Sequence, residues 1–140
     1  MISFFTETKF VLPFKKNSFK KWVKEIALSE GKKVGDINYI FCDDDYLHNI
    51  NMQYLQHDTL TDIITFDYTE GKTLNSDIYI SVERVSENAT QFNAVFTDEL
   101  LRVMAHGVLH LCGYKDKSPE QSKLMREKEN EKIKMFHVEH

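Results

Sequence analysis

The chain has 140 residues, of which 41% are hydrophobic, with ten Phe and one Trp, so we predict one compact domain over residues 1–140 and exclude two ordinary domains. A net charge of −4 and a pI near 5.8 exclude a protein that coats nucleic acid by bulk electrostatics. An RNA-binding function would therefore need a local basic cleft or a docking partner.

The first part of the chain predicts a strand, a helix and a second strand. Residues 2–7 are predicted as the first strand. Asn17 or Ser18 is predicted to cap a core-facing helix, and Gly31 is predicted to lie just past the end of that helix. Its apolar residues recur at the spacing of one helix face: Phe19, Trp22, Val23, Ile26 and Ala27. Residues 36–43 alternate in character and contain β-formers, which predicts the second strand.

An acidic triplet at residues 43–45 follows the second predicted strand. Such a cluster suggests a cation site, but Asp is also a common cap where a strand leads into a helix, and we favour the cap. The short helix that follows would be lined by Tyr46, Leu47, Ile50 and either Met52 or Tyr54. Two more strands are predicted at residues 61–68 and 76–81, and a helix at residues 82–92.

The last third of the chain predicts two helices. Thr97 is predicted to cap the first of them. Ser118 and Gln121 have the spacing of a capping box and predict the start of the second. The charges of this last helix alternate in sign over residues 123–134, which predicts a solvated face.

The sequence also indicates where the protein works. No window approaches the roughly 18 unbroken apolar residues of a membrane span, and the N-terminus has no basic signal region. We predict a cytoplasmic protein without a membrane partner. The two cysteines, Cys42 and Cys112, fall in a predicted buried strand and a predicted buried helix, and we expect unpaired core thiols.

The helix that follows Thr97 contains two histidines. Its preceding apolar residues predict that it is buried: Leu100, Leu101, Val103 and Met104. His106 and His110 are four residues apart, which is the spacing at which a helix presents two imidazoles to one metal ion. Gly113 predicts a left-handed turn that would return Asp116 to the histidines and leave a coordination position open for water. The alternative is an ordinary hydrogen-bonded pair of histidines.

The segment HGVLHLCGYKD, residues 106–116, resembles the signature H-G-x-L-H-L-x-G-Y-D-H of the YbeY family. Residues 51–66 are similar to the family's L-N-x-x-Y-R-x-K-D-x-P-T-D-V-L-S-F, and residues 76–81 are similar to its G-D-I-x-I-S. The three blocks are collinear and cover about half of the chain. The resemblance implies a single-strand-specific, metal-dependent endoribonuclease of bacterial ribosomal RNA maturation.

Zinc held by His106, His110 and Asp116 would acidify a bound water into a nucleophile and stabilise charge on a phosphate oxygen. Manganese or iron would also suit these ligands. In helical zinc proteases the pattern is H-E-x-x-H, with the Glu as general base, and Gly107 occupies that position here, which disfavours a peptidase. Gly107 either lets an extended strand approach the metal or relieves helix packing.

Two positions depart from the family pattern. Asp116 stands where the family has its third histidine, and a one-residue slip would align Lys117 there, which cannot bind a metal while it is charged. We keep Asp116 as the third ligand, with His137 or His140 as substitutes. Leu55 stands where the family has an arginine associated with nuclease activity.

Phosphate binding would then fall to another cation. The candidates are Arg84, Arg102, Lys115 and Lys117, and each is alternatively an ordinary exposed charge. We select Arg102 and Lys115 as predicted phosphate contacts, beside His106 and His110 as catalytic residues that act through the metal-bound water.

The predicted fold is α+β, with a small mixed sheet of about four strands, helices packed on it, and the metal site on a helix and the following turn. The predicted function is metal-dependent cleavage of single-stranded ribosomal RNA in 16S rRNA 3′-end maturation and ribosome quality control. Its predicted partners are the small ribosomal subunit and its proteins. The alternatives are a non-catalytic ribosome assembly factor with a structural metal, and a metallopeptidase.

Overall fold

The computed structural model describes residues 1–55 and 61–139. The strands are β1 (Ile2–Thr6), β2 (Lys33–Cys42), β3 (Ile63–Asp67) and β4 (Thr73–Ser81). The helices are α1 (Lys16–Ser29), α2 (Asp44–Leu55), α3 (Val82–Gln91), α4 (Phe96–Leu111) and α5 (Pro119–Glu139). Their types and order agree with the sequence prediction. None of the helices in the described ranges is both long and apolar enough to cross a membrane.

The strands form one mixed sheet in the order β1-β2-β4-β3. β1, β2 and β4 are parallel to one another, and β3 runs antiparallel to β4 at the edge of the sheet. The α+β class and the small mixed sheet are therefore confirmed. Because β3 pairs with a strand on one side alone, the backbone groups of its other side face away from the sheet.

The main core lies on one face of the sheet. Successive side chains of a strand point to opposite faces, so alternate residues of β2 and β4 enter this core: Ile37, Tyr39, Phe41, Leu74, Ile78 and Ile80. α1 packs its predicted apolar stripe here, and α4 is largely buried against the same face. α2 covers part of the other face, where Cys42 is buried, and both cysteines are free as predicted.

The structure extends two strands beyond their predicted bounds. β2 begins at Lys33 rather than residue 36, and β4 begins at Thr73 rather than residue 76. The two added segments pair with each other, since Lys33 is in register with Thr73. The register shifts between Val34 and Ile37, where the Asp36 N–H donates to the Asn75 side chain at 2.8 Å. This irregularity interrupts the alternation from which the sequence bounds were taken.

The predicted caps of α1 and α4 are wrong. α1 starts after Lys15, whose backbone is extended, and Ser18 N–H already donates to the Lys15 carbonyl. α4 starts after Val95, so Thr97 lies inside the first turn. Neither Lys15 nor Val95 provides a side-chain cap. In each helix the apolar pattern begins after the first helical residue, and the residue before the helix carries no side-chain cap, although Asp98 and Glu99 lie in the first turn of α4.

Two other predicted caps are confirmed. Asp43 accepts a hydrogen bond at 2.8 Å from the backbone N–H of Tyr46, so the first aspartate of the triplet caps α2. At the start of α5, Gln121 N–H donates to Ser118 Oγ at 3.1 Å, and Gln121 Oε1 accepts from Ser118 N–H at 3.2 Å. This reciprocal pair is the predicted capping box.

The solvated face predicted for α5 is wrong in part. Glu129 and Lys132 are buried, at 5% and 1% exposed, within the run of alternating charge. They lie between the buried residues Met125 and Phe136, and the four together form one stripe along α5, since they recur every three or four residues. The stripe faces the core. Its two charged side chains can be buried there because each of them has a partner.

Candidate metal centre

α4 presents His106 and His110 from one face. The two imidazole side chains are partly exposed, whereas the residues between them, Val108 and Leu109, are buried. The ring centroids are 4.4 Å apart, and the rings are nearly perpendicular, at 84°. Residues four apart in a helix share a face one turn apart, so this arrangement follows from the spacing in the sequence.

The chain reverses direction directly after α4. Gly113 has φ of 107°, a conformation that favours glycine, and its N–H donates to the His110 carbonyl at 3.0 Å. The turn returns Asp116 to the histidines. Asp116 Oδ2 lies 3.3 Å from His106 Nε2, and Asp116 Oδ1 lies 3.8 Å from His110 Nε2.

The three side chains predicted as ligands therefore converge. One nitrogen from each imidazole and one carboxylate oxygen lie within 4.8 Å of one another, so the group could hold a metal ion. Zinc binds such atoms at about 2.0–2.2 Å in tetrahedral geometry, which separates ligand atoms by roughly 3.4 Å. The distances from Asp116 to the two histidines are close to that separation.

The other ring nitrogens have partners that orient the imidazoles. His110 Nδ1 lies 2.9 Å from the carbonyl oxygen of Tyr114, which can only accept, so this nitrogen carries the proton. His106 Nδ1 lies 2.6 Å from Glu129 Oε2. Both Nε2 atoms are thereby left to offer a lone pair toward Asp116. The donor chemistry of this group fits a divalent metal ion.

Glu129 belongs to the candidate site, and the sequence did not predict it there. Besides His106, it accepts a hydrogen bond from Arg102 at 3.1 Å, and its side chain is 7% exposed. A carboxylate that holds a ligating histidine fixes the ring and makes it a better ligand. The available signal was its position between Met125 and Phe136 on the apolar spacing of α5.

A second chain of contacts supports the turn that carries Asp116. The Tyr114 hydroxyl donates to Glu30 Oε1 at 2.7 Å, at the end of α1. Glu30 Oε2 in turn accepts from Lys132 Nζ at 2.9 Å, and Lys132 also donates to Ser29 Oγ at 2.8 Å. α5 therefore supports His106 through Glu129, and supports the Tyr114 carbonyl that holds His110 through Lys132.

The two histidines differ in their affinity for protons. Burial lowers the pKa of His106, but the hydrogen bond and charge of Glu129, together with Asp116 and Asp62, raise it above its ordinary value. Burial and the nearby His106 hold the pKa of His110 below its ordinary value. A proton therefore binds His106 in preference to His110. A metal ion must compete with that proton, so its affinity falls as the pH is lowered.

Two cavities meet at this group. The larger, of about 640 Å³, is lined by residues of α2, β3 and the turn after α4, including Leu55, Thr65 and Lys115. The smaller, of about 280 Å³, lies among β3, α3, α4 and α5. Four residues line both: Asp62, Ile63, His106 and Asp116. The candidate metal centre is therefore open on two sides.

The predicted phosphate contacts are placed differently from one another. Lys115 is exposed and lines the larger cavity. Arg102 lines the smaller cavity, but its guanidinium donates to Glu129 at 3.1 Å and to Asn130 at 2.8 Å. Arg84, another candidate, pairs with Asp44 at 2.9 Å. Lys115 is thus the predicted cation whose position best fits a ligand in the cleft.

Of the two substitute ligands, the described residues include His137 alone, and it has another partner. His137 Nε2 lies 3.0 Å from Asp98 Oδ1, and both side chains are about half exposed. His140 lies outside the described residues. Lys117 N–H donates to Gln121 at the start of α5. The acidic triplet likewise has other partners, since Asp44 accepts from Ser81 and Arg84.

Gly107 faces the sheet. It is buried, and a Cβ atom at this position would lie 3.0 Å from Ile63 Cδ1 and 3.3 Å from Ile78 Cδ1. Of the two interpretations of this glycine, the structure supports the packing one, because the absent side chain lets α4 approach β3 and β4. The approach of α4 to β3 also places His106 beside Asp62 and Ile63 in the cavities.

The site is thus a cleft in one α+β domain, where a helix and its following turn present a donor set typical of metal-dependent hydrolases. The family model described as Endoribonuclease YbeY matches residues 4–137. The chain belongs to this family, so it is a nuclease that acts on RNA.

Individual relatives agree with this assignment. The chain is 59% identical over 139 residues to Endoribonuclease YbeY of Flavobacterium johnsoniae, with 99% of each chain covered. It is 46% identical over 134 residues to Endoribonuclease YbeY of Bacteroides thetaiotaomicron, covering 96% of this chain and 98% of that one. Among solved structures, it is similar to TM1509 from Thermotoga maritima, with a TM-score of 0.68, 32% identity, and 99% and 91% of the two chains covered.

Proposed function

We propose that the protein is a metal-dependent endoribonuclease specific for single strands, which acts in the cytoplasm on the 3′ end of 16S ribosomal RNA and in ribosome quality control. Its partners would be the small ribosomal subunit and its proteins. The observation that supports the chemistry is the convergence of His106 Nε2, His110 Nε2 and the Asp116 carboxylate in an open cleft. The family description supports RNA as the substrate.

Three side chains of this protein would hold one zinc ion. A bound divalent ion supplies Lewis acidity, which lowers the pKa of water and stabilises negative charge on a phosphate oxygen. His106 and His110 contribute neutral nitrogen donors, and Asp116 contributes one negative charge. Manganese or iron would also accept this set of ligands.

The surrounding residues fix the geometry of that reaction. Glu129 and the Tyr114 carbonyl hold the imidazoles with Nε2 toward the cleft, so the ligands need little reorganisation when the ion binds. Hydrolysis joins a water oxygen to phosphorus and breaks one phosphodiester bond, whose departing oxygen takes up a proton. Lys115, in the larger cavity, is placed to bind a phosphate of the substrate.

The shape of the cleft supports a preference for single strands. The centre lies at the junction of two cavities rather than on a flat surface, and β3 and α4 line it closely. An extended single strand can pass through such a cleft with a phosphate against the centre, whereas a duplex about 20 Å wide presents its backbone only from outside.

The test incubates purified protein with a single-stranded precursor that carries the 3′ end of 16S ribosomal RNA, with and without a chelator. His110→Ala should lose cleavage by more than about 100-fold, because changes to groups that merely orient ligands already cost about 10–100-fold. His137→Ala is the matched control, since this histidine is exposed and pairs with Asp98.

Cleavage that survives the chelator, or that His110→Ala retains, would contradict the metal-dependent mechanism. The role in ribosome assembly has its own readout, which is the profile of ribosomal subunits in cells. Folded His110→Ala protein that fully restores this profile would show that binding, rather than cleavage, is the contribution to the ribosome.

A further inference from the structure

The smaller cavity extends the candidate metal centre in the direction of α5. It shares His106, Asp116 and Asp62 with the larger cavity, and it is bordered on its other side by Arg126 of α5. A strand that crosses the metal centre from the larger cavity must leave through this space. The cations of the smaller cavity therefore decide whether it can accept a phosphate.

The chain has three arginines, and the structure assigns two of them to ion pairs. Arg84 pairs with Asp44 at 2.9 Å, and Arg102 pairs with Glu129 at 3.1 Å. Arg126 is exposed, and within residues 1–55 and 61–139 no ion pair or hydrogen bond of its guanidinium is found, although its charge lowers the pKa of the buried Glu99 from a distance. An arginine that lines a cavity without a direct contact has all five of its donors available for a ligand.

The position of Arg126 is fixed relative to the metal centre. Arg126 precedes Glu129 by three residues and Asn130 by four, so the three share one face of α5. Glu129 contacts His106 at 2.6 Å, and Asn130 accepts from Arg102 at 2.8 Å. The same helix face thus carries one residue that orients a ligand and one unpaired cation beside it.

The acidic residues of the smaller cavity leave the Arg126 guanidinium without a direct contact. Glu129 is paired with Arg102. Asp62 accepts a hydrogen bond from Asn88 at 3.4 Å. Burial raises the pKa of Glu99 above its ordinary value, against the charges of Arg102 and Arg126, which lower it. Asp116 is the carboxylate that faces the two histidines, where a divalent ion would offset its charge. Arg126 is therefore a positive group at the exposed edge of the cavity, near Glu99 but not in a direct ion pair with it.

We propose that Arg126 binds a backbone phosphate of single-stranded RNA on the α5 side of the metal centre, while Lys115 binds one on the other side. This inference rests on the proposed function. With Arg126 and Lys115, the cleft has a cation on each side of the scissile phosphate. The end of α2, where Leu55 lines the larger cavity, provides no cation. Guanidinium can contact two phosphate oxygens at once, which suits an extended strand held in one direction.

The test measures binding of the metal-loaded protein to a fluorescent single-stranded oligoribonucleotide, whose intact length is checked on a gel after each measurement. Arg126→Gln should weaken binding by about tenfold, as expected for loss of a hydrogen bond to a charged group. The slope of log affinity against log salt should decrease by roughly 0.7, the value for one phosphate contact on a single strand. The midpoint of urea unfolding should change little, because within the described residues Arg126 makes no direct hydrogen bond or ion pair, and its effect on Glu99 acts at longer range.

Two further variants complete the test. Lys134→Gln removes the same charge from an exposed position on α5, about 12 Å further along the helix, and should leave affinity and salt slope unchanged. Arg126→Lys should keep the salt slope but lose part of the affinity, because a lysine cannot form the two-pronged contact.

Equal loss of affinity in Arg126→Gln and Lys134→Gln would overturn the assignment, because the effect would then be one of net charge. Unchanged binding by Arg126→Gln, in a protein that otherwise binds and cleaves single-stranded RNA, would also overturn it and leave the proposed function intact. A wild-type protein that neither binds nor cleaves this RNA would instead contradict the proposed function.

Discussion

Replacing Glu129 with Gln tests whether this carboxylate sets the properties of the metal centre. The change keeps the size of the side chain but removes the negative charge that lies 2.6 Å from His106 Nδ1 and 3.1 Å from Arg102 Nη1. In the metal-free protein, the charge and hydrogen bond of Glu129 raise the pKa of His106. The pKa of His106 should therefore fall in Glu129→Gln.

The same variant should bind metal more weakly. Carboxylates that hold ligating histidines contribute about 10–100-fold to affinity, which corresponds to about 1.4–2.7 kcal/mol. The free energy of unfolding should fall as well, by about 1–3 kcal/mol, because Arg102 loses a charged acceptor in a site where the Glu129 side chain is 7% exposed. Asn130 remains as a second acceptor for Arg102, which keeps the loss at this level.

The assays are a histidine NMR titration of the metal-free protein, a zinc titration by calorimetry, and urea unfolding. Glu127→Gln is the matched control, since Glu127 is an exposed glutamate of the same helix. The reasoning is refuted if Glu129→Gln binds zinc as tightly as Glu127→Gln does, or if the pKa of His106 stays the same or rises.

Three further predictions concern the packing around the site. Gly107→Ala should lower the free energy of unfolding in urea by up to about 2 kcal/mol. Crowding of the new methyl group against Ile63 at 3.0 Å costs about 1–3 kcal/mol, whereas the higher helix propensity of alanine stabilises the helix by about 1 kcal/mol. If an added Ile63→Val restores no stability, the crowding explanation is contradicted. Lys132→Met should cost less than about 3–5 kcal/mol, the cost of a buried charge that loses every partner, because Glu30 keeps Lys128 Nζ at 3.6 Å and the Tyr114 hydroxyl at 2.7 Å; adding Glu30→Gln should recover part of the loss in thermal unfolding. Burial raises the pKa of Glu30, but Lys132 and Tyr114 lower it below 4.5 overall, so its stabilisation is complete above that pH and disappears as the pH falls through the folded value. In Glu30→Gln, the free energy of unfolding should decrease less steeply as the pH is lowered through the acid range. An unchanged decrease would contradict this role of Glu30.

The candidate metal-binding group could be predicted from the sequence because its geometry is local. His106 and His110 share a helix face by their spacing alone, and Gly113 marks the turn that returns the chain. Asp116 follows within three residues of that glycine, so few conformations place it elsewhere. The strands and the mixed sheet were predictable for a similar reason, since alternation and helical spacing extend over many residues.

Glu129 and Lys132 could not be predicted in the same way. Their partners, His106 and Glu30, are 23 and 102 residues distant in the chain. In the sequence they belong to a run of alternating charge, and such runs are usually solvated. Their burial depends on tertiary contacts that satisfy each charge, which local periodicity does not describe. The spacing from Met125 to Phe136 was the sole hint that one face of this run was internal.

The first residues of α1 and α4 were also predicted incorrectly from the sequence. The first turns of α1 and α4 follow extended residues, Lys15 and Val95, whose side chains provide no cap. Tertiary packing, rather than a capping side chain, therefore determines where these helices begin. By contrast, α5 is capped by its own Ser118 and Gln121, and its start was predicted correctly.

The stripe on α5 has a consequence for biosynthesis. The histidines and Asp116 emerge from the ribosome before Glu129 and Lys132, which orient them from a helix made later. A nascent chain that contains all three candidate ligands but lacks this helix does not yet have Glu129 to hold the His106 imidazole. If the proposed metal-dependent function holds, the protein would complete its metal site only after most of its own translation is finished.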